Sequence, residues 1–280
     1  MIDIVIPVYN TPEEDLKRCF DSVLKQTYKD YKVYIVDDGS KEDVKKFIDI
    51  YCKDKPNFKV KHIVNGGVSN ARNIGINLSK DEYITFVDSD DTIEKNFLKE
   101  AIKILEDKDL DVIIGGYNEI KDDKIIRVRK SLPGVHIYED DKVQLFFIKL
   151  LSGKVGNLNK EIGDTPTGRI YTRIFKRKSI GSLRFNEDIS ISEDTLFMID
   201  YVKKAKRIGI VDKVWYNYYI NDYSISNATN KKKMINNIKG FIKQIEIRRN
   251  MELKENLRKA YQDRIDKSNK HISRIMQKKL

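Results

Sequence analysis

Short β-branched runs alternate with amphipathic stretches through the first 117 residues of the chain. Runs of this composition, bounded by turn residues, are typical of buried strands, and they lie at 2–8, 31–37, 58–64, 83–88 and 111–117. Between them, apolar residues recur at helical spacing, which predicts helices over 12–27, 41–54, 69–79 and 94–107. This alternation predicts an α/β fold with a mostly parallel sheet flanked by helices.

After residue 117 the alternation of strands and helices becomes less regular. The charged stretch "EIKDDKIIRVRK" predicts a hairpin, and helices are predicted near 139–151 and from Ser192, which is a suitable N-cap residue. Two short strands, "IGIVD" and "VWYNYYI", are expected next, and the chain beyond Thr229 is predicted to be helical.

These patterns divide the chain into one α/β domain and an extension. We expect the domain to span 1–228, with a first half over 1–117 and a second half over 118–228. The extension over 229–280 is predicted to be a basic, amphipathic helical segment.

Charge separates the extension from the rest of the chain. Residues 231–280 contain 16 Lys and Arg against 5 Asp and Glu, so this segment carries the whole formal net charge of +11. The predicted apolar face of the segment contains Met234, Ile238, Phe241, Ile245, Leu253, Leu257 and Ile265. Such a face predicts packing on the α/β domain or on a second copy of the chain, or peripheral contact with a membrane or an anionic polymer. Stacking aromatics are scarce there, so we expect no nucleic acid partner.

Composition and the N-terminal residues narrow the class of protein. A hydrophobic fraction of 40% is ordinary for a globular protein. The opening "MIDIVIPVYN" lacks the charged and long apolar regions of a signal peptide. We therefore expect a cytoplasmic protein, either free or peripheral at the inner face of the membrane.

A polar cluster lies at the end of three of the predicted strands. The first strand ends with "PVYN", the second is followed by "DDGS", and the fourth is followed by "DSDD". Ligands bind at the carboxyl ends of the strands in such sheets. Asp88, Asp90 and Asp91 repel one another, and three interpretations are open: a turn that caps the next helix through Asp91 or Thr92, a divalent-cation site, or an acid–base pair. The cation site is favoured, because a bound Mg²⁺ or Mn²⁺ offsets the repulsion and attracts a diphosphate.

The stretch "NGGVSNARNIG" matches neither a dinucleotide fingerprint nor a Walker loop. Arg72 within it is expected near the ligand edge of the sheet. A phosphate contact and a simple surface salt bridge are both open for its guanidinium on these grounds.

Five motifs, in order, resemble the family 2 glycosyltransferases, which are inverting enzymes with the GT-A fold. They are "IPVYN", "VDDGS", "GVSNARNIGI", "YITFVDSDD" and "LRFNEDISISEDTLF", and the resemblance covers about residues 1–225. It implies a nucleotide-binding first half and an acceptor-binding second half. The acceptor pocket is expected from residues 118–190 and the C-terminal region.

The resemblance also implies roles for individual residues. Those expected to bind the donor are Pro7, Val8, Tyr9, Asn10, Asp38, Arg72, Asp88, Ser89 and Asp91. Tyr9 would lie against the base and Asp38 at the nucleobase edge, with Arg72 near the ribose or diphosphate. Asp88 would contact the ribose or support the site, and Asp91 would lie nearer the donor sugar.

For the chemistry, the resemblance implies Asp90 as the main ligand of Mn²⁺ or Mg²⁺, assisted by Asp88. Asp194 would be the general base, with Glu193 beside it. One departure is Tyr219, which stands where relatives often carry an arginine. The three histidines fall outside the motifs, and His62 is expected to be structural.

The function implied is transfer of a sugar from a nucleotide-sugar, expected to be a UDP-sugar, to a hydroxyl of a glycan or lipid-linked acceptor in cell-surface polysaccharide synthesis. A non-catalytic module that binds a nucleotide-sugar or glycan is the main alternative. A nucleotidyltransferase is less well supported, because the acidic "PVYNTPEED" replaces the glycine- and lysine-rich phosphate loop expected after the first strand.

Overall fold

The computed structural model describes residues 1–152, 168–221 and 231–277. The strands in this part of the chain are β1 (Ile2–Val8), β2 (Tyr31–Asp37), β3 (Phe58–His62), β4 (Tyr83–Phe86), β5 (Thr92–Ile93), β6 (Val112–Lys121), β7 (Lys124–Arg129), β8 (Val135–Glu139), β9 (Arg173–Lys176) and β10 (Arg207–Tyr219). The helices are α1 (Glu13–Leu24), α2 (Glu42–Cys52), α3 (Val68–Leu78), α4 (Phe97–Asp107), α5 (Asp141–Ser152), α6 (Arg177–Ile180), α7 (Glu193–Val202), α8 (Lys231–Met251) and α9 (Glu255–Gln277).

One sheet runs through the molecule in the order β3-β2-β1-β4-β9-β6-β10-β5. The predicted α/β fold class is confirmed, and β3, β2, β1 and β4 pair in parallel as expected. The second half is more mixed than predicted, because β9 lies antiparallel between β4 and β6. The predicted hairpin forms from β6 and β7.

Some element boundaries differ from the prediction for physical reasons. The two strands expected after α7 are one long strand, β10, whose register against β6 shifts between Ile210 and Tyr216. Thr92 pairs with β10 as part of β5, so neither it nor Asp91 caps α4, which begins at Phe97 after Asn96. Ser192 does precede α7, but it has a left-handed backbone and makes no side-chain capping bond.

The site-bearing strands lie deep in the molecule. All seven residues of β1 are buried, and α3 packs directly across this strand. A Cβ on Gly75 of α3 would lie 2.2 Å from the Val5 Cγ1 atom of β1, so only glycine permits this approach. Close packing of α3 fixes the position of its first turn at the carboxyl end of β1.

The two C-terminal helices belong to the same hydrophobic core as the sheet. Helix α9 packs against α8 and α5. The side chains that α8 and α9 bury are Ile238, Phe241, Ile242, Ile245, Leu257, Ala260, Tyr261, Ile265, Ile272 and Ile275. Leu253 was predicted on this face, but it lies between the helices and is 90% exposed. The predicted boundary at 228/229 lies outside the described residues.

No helix within residues 1–152, 168–221 and 231–277 is both long and apolar enough to span a membrane.

Candidate active site

A cavity of about 1300 Å³ opens at the carboxyl ends of β1, β2 and β4. The structure brings most of the predicted site residues together in its wall. Those that line it are Pro7, Val8, Tyr9, Asn10, Asp38, Arg72, Asp88, Ser89, Asp90, Glu193 and Asp194. Asp91 is the one predicted residue that is absent from the wall.

The loop after β1 is tied to its neighbours by short hydrogen bonds. The Asn10 backbone N–H donates to Ser40 Oγ at 2.9 Å, and the Lys41 N–H donates to Asn10 Oδ1 at 2.9 Å. Thr11 and Ser89 share a hydroxyl hydrogen bond of 2.6 Å. Tyr9 stands out from this framework with 53% of its surface exposed. The loop therefore holds an accessible aromatic ring at the cavity mouth.

Asp38, after β2, uses its carboxylate to hold the loop before α3. The Gly66 and Gly67 amides donate to its two oxygens at 2.7 and 2.8 Å, and Asn65 Nδ2 donates at 3.1 Å. Burial raises the pKa of Asp38, while the two backbone amides act in the opposite direction. The carboxylate of Asp38 therefore contacts residues 65–67 of the loop before α3, whereas the resemblance implied a contact with the edge of the donor's nucleobase.

Asp91 lies behind the cavity, away from the position expected near a donor sugar. Its side chain is fully buried, and it accepts hydrogen bonds from Tyr216 Oη at 2.7 Å and the Tyr219 N–H at 2.8 Å. Burial raises the pKa of Asp91 well above its usual range. The Asp88 N–H in turn donates to Tyr216 Oη at 3.1 Å. Asp91 and Tyr216 therefore lock the "DSDD" turn onto β10.

Asp90 faces the cavity from a turn held by a cation of α1. Arg18 Nη2 donates to the Asp90 carbonyl at 2.9 Å, and the Arg18 guanidinium lies 3.8 Å from the ring centre of Tyr219. Asn221 Nδ2 lies 3.3 Å from Asp90 Oδ2. Burial, followed by the charge of Asp88, raises the pKa of Asp90 to about 6.

Arg72 joins the two acidic motifs, which are far apart in sequence. Its Nη2 donates to Asp88 Oδ1 at 2.8 Å and its Nη1 to Glu193 Oε1 at 2.8 Å. Burial acts to lower the pKa of Arg72, but the carboxylates of Asp88 and Glu193 outweigh it and raise that pKa. The side chain is only 5% exposed. A surface salt bridge is thereby excluded.

Glu193 and Asp194 enter the cavity from the first turn of α7. Burial raises the pKa of Glu193, Asp194 adds to that rise, and Arg72 opposes it. The Thr195 N–H donates to Asp194 Oδ1 at 2.7 Å. Two adjacent carboxylates thus stand opposite "DSDD", with Arg72 between the motifs.

No group of three or more His, Cys, Asp or Glu side chains within the described ranges is arranged to hold a metal ion. Asp88 and Asp90 are the acids of the "DSDD" turn that face the cavity. A complete protein cage is not required for Mg²⁺, which is usually held by one or two carboxylates together with substrate phosphates and water.

The sequence analysis expected residues 118–190 and the C-terminal region to form an acceptor pocket, but it assigned no individual residue to the second wall of the cavity. This wall contains the aromatic residues Tyr117, Tyr171 and Tyr218, the cations Arg129 and Arg169, and residues of α8 and α9. Tyr171 stacks on Tyr218 with ring centres 5.9 Å apart. The sequence did contain one signal for an aromatic wall, namely the tyrosines of "VWYNYY", which include Tyr218. The C-terminal residues in this wall are Met234, Ile238, Phe241, Arg264, Lys267, Ser268, His271 and Arg274.

Most of the chain is similar in sequence to known glycosyltransferases. EpsJ of Bacillus subtilis (strain 168), described as an uncharacterized glycosyltransferase, is 28% identical over 237 residues, which are 84% of this chain and 65% of EpsJ. TarP of Staphylococcus aureus (strain N315), a poly(ribitol-phosphate) beta-N-acetylglucosaminyltransferase, is 29% identical over 253 residues, covering 84% of this chain and 68% of TarP. The chain therefore spans less than two thirds of the length of EpsJ.

The fold is shared with a solved structure. The crystal structure of S. aureus TarS 1–349 in complex with UDP-GlcNAc superposes with a TM-score of 0.67 at 21% identity, covering 87% of this chain and 66% of that one. This likeness identifies the GT-A fold. A family model described as Glycosyl transferase family 2 matches residues 3–180, which is more than half of the chain. The chain accordingly belongs to glycosyl transferase family 2.

Proposed function

We propose that the chain is an inverting, metal-dependent glycosyltransferase. It moves a sugar from a UDP-sugar to a hydroxyl of a glycan or lipid-linked acceptor in cell-surface polysaccharide synthesis. The observation that carries this proposal is the Arg72 bridge, which brings Asp88 and Glu193 into one cavity. At about 1300 Å³ the cavity exceeds the size of most single-ligand pockets, and it suits a donor and an acceptor together.

The choice of donor is supported by the structural relatives. S. aureus TarS has been crystallised with UDP and with UDP-GlcNAc. In this chain Tyr9 offers an exposed ring at the cavity mouth, which suits stacking on a nucleobase. Asp38 fixes the neighbouring loop through the Gly66 and Gly67 amides.

The residues of the "DSDD" turn fit Mn²⁺ or Mg²⁺. Asp90 would be the main ligand and Asp88 the second, with diphosphate oxygens and water completing the shell. Burial and Asp88 raise the pKa of Asp90 to about 6, so a cation beside this carboxylate would relieve an unfavourable charge. When bound, such a cation supplies charge stabilisation for the departing nucleoside diphosphate.

The protein side chains perform the remaining steps. Asp194 takes the proton from the acceptor hydroxyl as that oxygen attacks the anomeric carbon of the donor. Glu193 stays fixed beside it through Arg72. Asp91 and Tyr216 hold the turn that presents Asp90. A single displacement from the face opposite the leaving group inverts the configuration.

Nucleotide calorimetry tests the donor assignment. UDP should bind better than GDP, CMP or TDP in the presence of Mn²⁺, and Asp90→Ala should abolish the metal-dependent part of that binding. A clear preference for another nucleotide would overturn the UDP assignment.

Turnover tests the base. Asp194→Asn should keep UDP binding but reduce sugar transfer by about 10²–10⁴-fold, because a general base acts in the transition state. Near-normal transfer by this variant would show that Asp194 is not the base. The alternative, a non-catalytic binding module, predicts UDP-sugar binding with no metal-dependent release of UDP by the wild-type protein.

A further inference from the structure

Helix α9 carries two stripes with different environments. Its apolar stripe enters the core through Leu257, Tyr261, Ile265 and Ile272. Beside it runs a stripe that lines the cavity, which we call the basic face and which consists of Arg264, Lys267, His271 and Arg274. Because these positions follow one another at three- or four-residue intervals, they lie on one side of the helix. The apolar stripe therefore fixes which way the basic face points.

The cavity is polarised as a result. Acids line its strand-end side, where Arg72 is already shared between Asp88 and Glu193. The basic face lines the part of the wall that α9 forms, and Arg169 adds a further cation to the lining. Among residues 1–152, 168–221 and 231–277, Arg169, Arg264 and Arg274 make no ion pair with an acidic side chain.

Arg264 connects the basic face to the proposed base. Its guanidinium lies 5.1 Å from the ring centre of Phe241, and its Nε is buried without a hydrogen-bond partner among the described residues. Arg264 and Asp194 line the same cavity. Burial lowers the pKa of Arg264, while the charge of Asp194 acts in the opposite direction. A group bound at the Arg264 end of the basic face would therefore share the cavity with Asp194.

We propose that the basic face of α9 binds the negatively charged groups of an anionic glycan, and that this glycan is the acceptor. This proposal rests on the proposed function, because the acceptor is defined by the transfer reaction. The donor diphosphate has its own place on the acidic side through the proposed cation. Guanidinium groups match the geometry of phosphate and carboxylate oxygens, which are the charged groups that acidic glycans carry.

The length of the basic face favours a chain over a single small anion. From Arg264 to Arg274 the helix rises about 15 Å, at about 1.5 Å per residue. Cations spread over that distance contact successive charges of a polymer, whereas one phosphate reaches only one of them. The concave setting also distinguishes this face from a membrane-contact surface, which must reach a plane of lipid headgroups.

Matched charge-removal variants of the full-length protein test the proposal. The test variant is Lys267→Gln with Arg274→Gln, and the control is Lys259→Gln with Lys270→Gln, which removes the same charge from α9 outside the cavity lining. The probes are an oligomer of glycerol phosphate, an oligogalacturonate and a neutral dextran of similar length. The first two probes distinguish phosphate from carboxylate as the charged group. UDP with Mn²⁺ is measured in parallel.

We expect the anionic oligomers, and not dextran, to bind the wild-type protein. The test variant should bind them about fivefold to tenfold more weakly, since each exposed charge contact contributes modestly. The control variant should bind like the wild type, and both variants should bind UDP within about twofold of it. Added salt should weaken binding of the anionic oligomers and leave dextran unaffected.

Several results would overturn the proposal. Equal binding of dextran, or an equal loss in the control variant, would remove the specific role of the basic face. Weaker UDP binding in the test variant would assign these cations to the donor. Loss of binding to phosphatidylglycerol vesicles without loss of oligomer binding would assign them to a membrane. If the wild type binds anionic oligomers but no nucleotide, the proposed function and the acceptor role both fail, and only anion binding by the basic face remains.

Discussion

The two sides of the cavity are built on different physical principles. On the strand-end side, polar side chains are held by short hydrogen bonds to one another and to backbone amides, as in the Asp38 and Asp91 networks. On the helical side, α8 and α9 are held by apolar packing, and their polar residues project from that packing into the cavity. Chemistry requires groups held in fixed positions, whereas the proposed binding of a long anionic chain requires only that cations lie along its path.

One of the two largest effects on stability is expected on the strand-end side. Arg72→Ala leaves Asp88 and Glu193 without their shared cation in a buried setting, so the free energy of unfolding should fall by about 3 kcal/mol. Urea denaturation measures this change. As a control, Lys103→Ala removes the exposed pair with Asp107 and should leave the midpoint nearly unchanged.

The cause of the loss can be tested in a variant that also lacks the charges of Asp88 and Glu193. If uncompensated charge causes the loss, adding Asp88→Asn and Glu193→Gln to Arg72→Ala should recover part of the stability. A further loss in the triple variant would instead assign the role of Arg72 to packing, in which case the two sides of the cavity would not differ as described.

On the helical side, the corresponding test removes packing. Ile245→Ala creates a cavity at a fully buried position of α8 and should lower the free energy of unfolding by about 3 kcal/mol. Leu253→Ala is the control, since that side chain is 90% exposed and should contribute little. Similar small effects from both substitutions would show that α8 and α9 are not integral to the core.

A single hydroxyl compares the two sides directly. Tyr216→Phe removes the group that donates to Asp91 and accepts from the Asp88 N–H, and it should cost about 2 kcal/mol. Tyr261→Phe removes a buried hydroxyl of α9 that has no hydrogen-bond partner among the described residues, so its cost should be near zero. Equal losses in thermal or urea denaturation would contradict the comparison.

The smallest expected effect is a pH dependence in the first half. His62 Nδ1 lies 2.8 Å from Asp37 Oδ2 and Nε2 lies 3.1 Å from Asp49 Oδ1. Partial burial opposes the charged ring, but these carboxylates outweigh it and raise the pKa of His62. Its stabilising contribution is therefore fully present below the unfolded pKa of about 6.5 and is lost as pH rises through the folded pKa.

Melting curves of the wild type and His62→Gln across this range should converge as pH increases. Asp49→Asn should lower the pKa of His62 when the ring is followed by NMR. If the difference in melting temperature between the wild type and His62→Gln widened as pH rises, the predicted direction of the pKa shift of His62 would be wrong.

The parallel part of the fold and its loops could be predicted because each signal is local. β1 to β4 are β-branched runs, and each acidic or polar cluster directly follows its strand. β9 escaped prediction because "RIFK" is only four residues long and gains its place from pairing with β4 and β6. β10 was divided in two because Asp212 and Lys213 interrupt its apolar pattern, at a point where the register against β6 does shift.

The individual residues of the candidate site could be predicted from the sequence, whereas the hydrogen bonds and ion pairs between them could not. Arg72 and Glu193 are 121 positions apart, and nothing local indicates that they share a hydrogen bond. Asp91 has the same chemistry as Asp90, but only the neighbouring Tyr216 and the Tyr219 amide reveal that it faces inward. The C-terminal region was expected to contribute to the acceptor pocket, but a run of lysines and arginines ordinarily indicates a solvated face, so only the tertiary structure shows which residues of α9 line the cavity.

The position of α9 in the chain has a consequence for biosynthesis. A ribosome completes β1 to β6 and their loops long before it reaches residues 255–277. Until that helix emerges, the core residues that it covers face solvent. One of them is Phe147, whose ring centre lies 5.8 Å from the ring centre of Tyr261 in α9. A chain cut short before α9 would carry the acidic loops with one cavity wall missing, and its exposed apolar surface would mark it for chaperones and proteases.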